Sequence, residues 1–353
     1  MWKHGDYFGR SRVKPLKITI DVVAQKAGVS KTTVSRILNG NYAHTSEKTR
    51  NRVLQVMKEL DYRPNALAKG LKSLRTDVIG ILLSNLKNPF WATVLEGVED
   101  ACRASGYNLM ICNSDEDPEL EFQAIRQLQM RQVDGVVMNP TMRNPNLYRK
   151  LVEDAYPLVV MNRRVDDLGA QSVVVDNVKG ASLAVEHLLR CGKRRPAVCY
   201  YANPGVTTWQ DRVEGYRLAM KSHGYGEHDL RVVEAEQSPN AVKHAVLELM
   251  KKHPDTDAVF STNNMMTLEV IEALKELGLR IPADVAVLGY DDTVWAKHMD
   301  PPLTTVRQPG YEMGKIAANL LIQSIRDGGH PAADPVVLQP ELVIRRSCGW
   351  QSS

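Results

Sequence analysis

Long apolar runs are missing from this sequence. Nowhere do roughly 20 consecutive residues avoid polar and charged side chains, which is what a bilayer-spanning helix needs, so no membrane crossing is expected. The opening stretch MWKHGDYFGRSRVKPLK is polar and basic and has no apolar segment of secretory-leader type, which points to a cytoplasmic protein. Cysteine is scarce: Cys102, Cys112, Cys191, Cys199 and Cys348 are an odd number, far apart, without a Cys-x-x-Cys pair. A disulfide scaffold is thereby excluded, and the five read as reduced thiols that mostly pack. The nine histidines show no metal-ligand spacing, and Gly-x-Ser-x-Gly, Gly-x-x-x-x-Gly-Lys and His-Glu-x-x-His are all absent. No enzyme, cofactor or metal is expected. Asp115, Glu116, Asp117, Glu119 and Glu121 resemble paired catalytic carboxylates, yet Pro118 and early glutamates favour a helix start, and they read as a solvated loop and first turn.

What is present is a chain of 353 residues, long enough for two or three units, with 43% hydrophobic and 24% charged residues, as in ordinary soluble proteins. The net charge of +4 hides a partition. Residues 1–76 hold 16 basic and 5 acidic side chains, a balance of +11, which leaves 29 basic and 36 acidic residues, a balance of −7, for the rest. A basic terminal module on a mildly acidic body is what phosphate neutralisation by counterion release requires.

The basic segment is patterned. In ITIDVVAQKAGVSKTTVSRILNG, Thr19 is placed to cap a first helix with Val22, Val23 and Ala27 on one face. Gly28 supplies a tight turn, Ser30 caps a second helix carrying Val34, Ile37 and Leu38, and the small Ala24 and Ala27 permit close crossing. A third helix starts at Ser46 and buries Val53, Val56, Met57 and Leu60 before Pro64. In a helix-turn-helix of this kind the second helix enters the major groove N-terminus first. That selects Lys31, Thr32 and Arg36 to read base edges, with Ser30, Thr33, Ser35 and Arg50 on phosphates.

AGVSKTTVSRILNG followed by TRNRVLQVMKELDYRPNALAKGLKS resembles the DNA-binding end of the lactose/galactose repressor family. The resemblance continues through VIGILLSNLKNPFWATVLEGVEDACRASGYNLMICNS, VLGYDDT, PPLTTVRQP and ELVIRRS, leaving only residues 1–17 outside it. It implies a lambda-repressor-like helix-turn-helix domain at 18–63, after an N-terminal extension 1–17 expected to be disordered, and a hinge helix at 64–76. The core, 77–353, is then a periplasmic-binding-protein-like pair of doubly wound α/β subdomains, one of about 77–162 plus 292–325, the other of about 163–291 plus 326–349. The resemblance also implies that the hinge, RPNALAKGLKSLRT, folds only when two copies meet in the minor groove of operator DNA. There Leu71 would wedge between base pairs, with Asn65, Ala68 and Lys72 lining the groove. Few residues and Gly70 make that helix unstable alone. An inverted-repeat operator follows from two-fold symmetry, and the absence of leucine heptads after ELVIRRS favours dimers.

Beyond Asp77 short apolar runs alternate with amphipathic stretches. Strands are expected at 78–83, 107–112, 133–138, 157–161, 172–175, 196–201, 231–235, 257–261 and 284–288. Helices are expected at roughly 91–105, 118–131, 177–191, 210–223, 240–252 and 265–278. No Gly-x-Gly-x-x-Gly follows strand 78–83, which argues against a nucleotide-dependent dehydrogenase. Carried over from the family residue by residue, the ligand contacts are Asn88, Phe90 and Trp91; Asn162, Arg163 and Arg164; Arg212; Asn263; Asp291; and Gln308. Many relatives have Asp where this chain has Asn162. That replacement, with Arg163, Arg164 and Arg212 nearby, suggests an anionic sugar acid of gluconate type, a neutral sugar being the competitor. The expected function is a ligand-released repressor of carbohydrate or sugar-acid genes. A corepressor of opposite sign stays open, and a secreted sugar-binding transport receptor shares the core but would need a leader peptide.

Overall fold

The computed structural model describes residues 18–38, 40–43, 45–62, 75–165, 168–203, 205–329 and 334–350. Two compact units divide between Thr76 and Asp77. The calls on Asn65, Ala68, Leu71 and Lys72 and on the extension 1–17 fall outside the described residues.

The first unit is three helices, α1 (Ile20–Ala27), α2 (Lys31–Leu38) and α3 (Glu47–Glu59). Val23, Ala24, Ala27, Val34, Ile37, Val53 and Val56 form its core. Val22 lies outside that core, 42% exposed, because the buried stripe of α1 takes Ala24 beside Val23. Gly28 turns the chain at φ 63°, a left-handed conformation that costs glycine nothing. The Thr33 N–H donates to Ser30 Oγ (3.1 Å), so Ser30 caps as expected, and the Thr49 N–H donates to Ser46 Oγ (3.3 Å) in the same way at the expected start of the third helix. Thr19 takes the N-cap backbone conformation, but its hydroxyl makes no capping bond.

The second unit carries two six-stranded sheets. In the first, β1 (Val78–Leu83), β2 (Asn108–Asn113), β3 (Gly135–Met138), β4 (Leu158–Met161), β5 (Gln171–Val175) and β11 (Val336–Leu338) are all parallel, in the order β11-β5-β4-β3-β1-β2. The second has β6 (Pro196–Tyr201), β7 (Arg231–Ala235), β8 (Ala258–Ser261), β9 (Ala286–Tyr290), β10 (Thr304–Arg307) and β12 (Glu341–Val343), in the order β12-β10-β9-β8-β6-β7. Only β12 runs antiparallel there, against β10. The helices are α4 (Phe90–Ser105), α5 (Pro118–Met130), α6 (Pro145–Glu153), α7 (Asn177–Arg190), α8 (Thr207–Ser222), α9 (Ala241–Lys252), α10 (Asn264–Glu276) and α11 (Gly310–Asp327). No described helix is long and apolar enough to cross a membrane.

Parallel strands covered on both faces read as unbroken apolar runs, and β1 shows why. Ile79, Ile81 and Leu83 face one core with α4 and α11, while Leu82 faces another with α5 and α6. Helices α4 and α11 touch backbone to backbone. A Cβ on Gly97 would stand 2.0 Å from the Tyr311 carbonyl oxygen and one on Gly314 2.0 Å from that of Val94, so neither position accepts a side chain.

The sheets redraw the expected partition of the core. Strand β5 joins the first sheet and not the second, β10 joins the second, and β11 returns to the first, so the three crossings fall near residues 176, 308 and 340. The register decides this: β5 pairs with β4 through Val159 and Gln171, β10 with β9 through Thr304 and Leu288. The sequence reading also omitted α6, α11, β10, β11 and β12, and placed β9 two residues early.

Candidate functional site

The cleft between the two subdomains is lined by the carboxyl ends of strands from both sheets and by the helix starts that follow them, the place where open α/β sheets hold ligands. About 440 Å3 of space not filled by atoms, part of it open to solvent, lies there. Of the ten expected ligand contacts, Asn88, Phe90, Trp91, Asn162, Arg163, Arg212, Asn263, Asp291 and Gln308 line it. Arg164 does not. Its guanidinium pairs with Asp211 (3.1 Å) and its backbone N–H donates to Thr207 Oγ1, because successive residues after β4 point to opposite sides. Burial raises the Asp211 carboxyl above its usual value, with Arg164 opposing.

The same backbone device builds both walls. Asn162 directly after β4 and Asp291 directly after β9 sit at φ 67° and 71°, the left-handed region that Asn and Asp tolerate best among side-chain-bearing residues. Each turns its strand outward while its N–H donates to the neighbouring strand, to the Val173 carbonyl and to the Val306 carbonyl.

On the first wall most of the polar groups satisfy one another. Arg163, 3% exposed, donates from Nη1 and Nη2 to the two carboxylate oxygens of Glu116 (2.9 and 2.6 Å) and from Nη1 to the Pro140 carbonyl (2.6 Å). The Asn162 amide donates to Asn139 Oδ1 (3.2 Å), whose own amide donates to Ser84 Oγ (2.7 Å). Neutral Asn162 thus extends an amide chain. Trp91 lies mainly in the first sheet's core, edge-on to Phe90 at 5.2 Å.

On the second wall Arg212 is gripped without being neutralised. Its Nε donates to Asn177 Oδ1 (2.8 Å), its Nη1 to the Thr262 carbonyl (2.6 Å), and its guanidinium lies 3.6 Å from the Tyr290 ring centre. Burial pushes the Tyr290 phenol up to about 12 despite Arg212, so the ring contributes no negative charge. Asp291 accepts from Gln308 Nε2 (2.5 Å) and from Asn264 Nδ2 (2.7 Å), and Asn264 also donates to Asn88 Oδ1 (2.7 Å) across the cleft. These bonds orient both amides, and the Gln308 Oε1 and Asn264 Oδ1 they turn away have no partner among the described residues. Arg163 Nε is equally bare. Asn263 spends its Oδ1 capping α10 through the Met265 and Met266 N–H groups. Behind this wall Asp292 ties β9 to β10 and the chain end through Arg307 (2.6 Å) and Arg345 (2.7 Å). Burial alone would raise the Asp292 carboxyl, but those hydrogen bonds outweigh it and hold it below the usual range.

Six lining residues escaped the sequence reading: Ser84, Asn85, Glu116, Thr208, Trp209 and Gln237. Trp209 and Thr208 lie three and four residues before Arg212, on one face of α8, and that spacing was an available signal. Glu116 and Glu121 correct the view of their stretch as solvated. Glu116 faces the cleft, and Glu121 is fully buried, accepting from the Thr141 N–H and hydroxyl, Asn144 Nδ2 and the Tyr148 hydroxyl, each at 2.7 Å. Asp117 does cap α5, as Pro118 implied.

In the first unit, Thr32 and Arg36 are exposed on α2, and Lys31 pairs there with Asp21 of α1. An exposed pair of this kind contributes at most about 1 kcal/mol and yields readily to phosphate. Ser30 and Thr33 share a hydroxyl contact (2.9 Å), Ser35 is half-buried, and Arg50 stacks on the exposed Tyr42 ring at 4.3 Å. Tyr42 was not singled out by sequence.

A three-helix unit and a two-sheet unit with a polar cleft define a class, the DNA-binding regulators governed by a small ligand. Residues 19–65 match the family model described as "Bacterial regulatory proteins, lacI family", and residues 76–339 that of "Periplasmic binding proteins and sugar binding domain of LacI family". The probable HTH-type transcriptional regulator EndR of Paenibacillus polymyxa is 33% identical over 339 residues, covering 93% of this chain and 97% of that protein. A complex of the transcriptional regulator CelR with cellobiose superposes with a TM-score of 0.70 at 31% identity, covering 94% of this chain and 99% of CelR. The lac repressor dimer bound to operator and the anti-inducer ONPF gives 0.83 at 25% identity with the same coverage. The chain belongs to the LacI family and is a DNA-binding transcriptional regulator.

Proposed function

We propose that this regulator represses carbohydrate genes and is released from its operator by a neutral polyhydroxylated sugar in the cleft. The observation that carries the proposal is a charge set in which Arg163 is already cancelled by Glu116, beside the bare buried acceptor Gln308 Oε1 of a lining residue. Buried acceptors without partners cost about 1–3 kcal/mol each, and sugar hydroxyls are the donors that relieve them. Three free cations, Arg163, Arg164 and Arg212, would favour a sugar acid, but pairing with Glu116 and Asp211 leaves Arg212 alone. The Trp209, Phe90 and Trp91 rings supply apolar surface for the sugar face. Cellobiose in CelR is a ligand of this kind.

A second reading keeps the acid: the partners of Arg212, Asn177 Oδ1 and the Thr262 carbonyl, are neutral and leave its charge uncancelled, so one carboxylate bound there is compatible with the second wall.

In this proposal Lys31, Thr32 and Arg36 read bases, while Ser30, Thr33, Ser35 and Arg50 hold phosphates. Asn65, Ala68, Leu71 and Lys72 act in the minor groove, and two copies of the chain bind an inverted repeat in the cytoplasm. The test is selection of duplexes from a random inverted-repeat library, followed by gel shift with and without neutral saccharides. A selected palindrome released by a neutral sugar supports the reading. A palindrome bound more tightly with sugar would reverse its sign, and failure to select any duplex would sink it.

A further inference from the structure

Far from the cleft, three soft donor atoms from distant parts of the chain converge. His187 and Cys191 lie at the end of α7, and Cys348 comes from the C-terminal segment 161 residues after His187. His187 Nε2 lies 3.1 Å from Cys348 Sγ and 3.5 Å from Cys191 Sγ, and all three atoms fall within 4.8 Å of one another. His187 and Cys348 are fully buried; Cys191 is half-buried and opens the group to solvent. We propose that His187, Cys191 and Cys348 form a binding site for a thiophilic divalent cation, zinc being the ion whose charge and size fit.

The distances carry the assignment. Tetrahedral zinc with Zn–S of about 2.3 Å and Zn–N of about 2.0 Å sets its nitrogen and sulfur ligands about 3.5 Å apart and two sulfurs about 3.8 Å apart. The spacing here is within a few tenths of an ångström for both nitrogen–sulfur pairs. With no ion bound, the Cys348 thiol donates to the Arg345 carbonyl (3.3 Å), a bond that thiolate ligation would replace. Charge decides between cations. Zn2+ with two thiolates is neutral, which a buried site requires, whereas Cu+ would leave one negative charge. Binding releases both thiol protons to water, two S–H bonds giving way to two Zn–S bonds with no change of oxidation state. Water completes the fourth position on the side of Cys191.

The surroundings already support the ligands. The Thr304 hydroxyl donates to Cys348 Sγ (3.2 Å), and the Trp350 ring lies 5.6 Å from that of His187. The Thr304 N–H also donates to Ser347 Oγ (2.8 Å), which donates to the Val287 carbonyl (2.6 Å). An ion here fastens the C-terminal segment to α7 and to β10, the strand that leads to Gln308. Local spacing along the chain does not reveal the group, because only the fold brings Cys348 to α7.

The experiment uses the full chain, stripped with a chelator and titrated with Co2+ as the spectroscopic probe, then with Zn2+. One equivalent of Co2+ should give thiolate charge-transfer and tetrahedral ligand-field bands that Zn2+ abolishes, and Zn2+ should raise the melting temperature. Cys191→Ser is the informative variant, since its position is half-buried and the fold should survive; its Zn2+ affinity should fall at least about tenfold. Cys112→Ser, which removes a thiol elsewhere, should match the parent. Absence of the bands in the parent, or equal binding by Cys191→Ser, would overturn the site.

Discussion

The two walls of the cleft are built by one backbone device and differ in what they do with charge. Both have a left-handed residue just after a strand, Asn162 or Asp291, and both carry one arginine and one carboxylate. On the first wall these join in the two-pronged Arg163–Glu116 pair. On the second, Arg212 and Asp291 are held separately by amides, a carbonyl and an aromatic ring, which leaves the Gln308 Oε1 and Asn264 Oδ1 oxygens unspent. The first wall spends its charge internally and the second does not.

Breaking the first wall should have the largest effect on stability. Glu116→Ala strands a buried guanidinium and should cost about 3–5 kcal/mol in urea unfolding. A loss under 1 kcal/mol would mean that Arg163 finds water, and the wall is not self-contained. Breaking the second wall should spare the fold more than the response. Arg212→Ala should weaken ligand by about 2–5 kcal/mol in calorimetry while operator affinity without ligand stays near that of the parent. Equal losses in both would make Arg212 a structural residue. Asn264→Ala removes one bare acceptor and the bond to Asn88, and a reduction of about 1–3 kcal/mol in sugar affinity is expected, with no reduction if Asn264 serves only to orient Asp291.

The smallest effect concerns pH. The Asp292 carboxyl is held below its ordinary 3.8, so its contribution to stability is complete above that value and is lost as pH falls through the lowered one. Asp292→Asn should flatten the stability profile in that acid window alone, and an unchanged slope would detach Asp292 from the Arg307 and Arg345 clamp.

Legibility in the sequence followed the range of the forces involved. The three-helix unit was readable because Gly28, Ser30 and Ser46 act within a few residues of themselves. Most core strands were readable as apolar runs. Helix α11 was missed although it is amphipathic, since Gly310 and Gly314 weaken helix propensity, and only the closeness of α4 explains Gly314. Strands β11 and β12 have three residues each and owe their place to partners far along the chain. The strand ends gave most of the cleft. What they hid was pairing: Arg163 is 47 residues from Glu116 and Arg164 is 47 from Asp211, so three cations counted in sequence became one in space.

That cancellation is the central claim, and Glu116→Gln tests it with little change in shape. Calorimetric titration of the parent and of Glu116→Gln with gluconate and with neutral saccharides, cellobiose and glucose among them, compares one wall in two charge states. The account predicts that the parent takes a neutral sugar and not the acid, and that Glu116→Gln, with Arg163 released, gains acid binding. A parent that binds gluconate and rejects the neutral sugars, with affinity unmoved in Glu116→Gln, would contradict it.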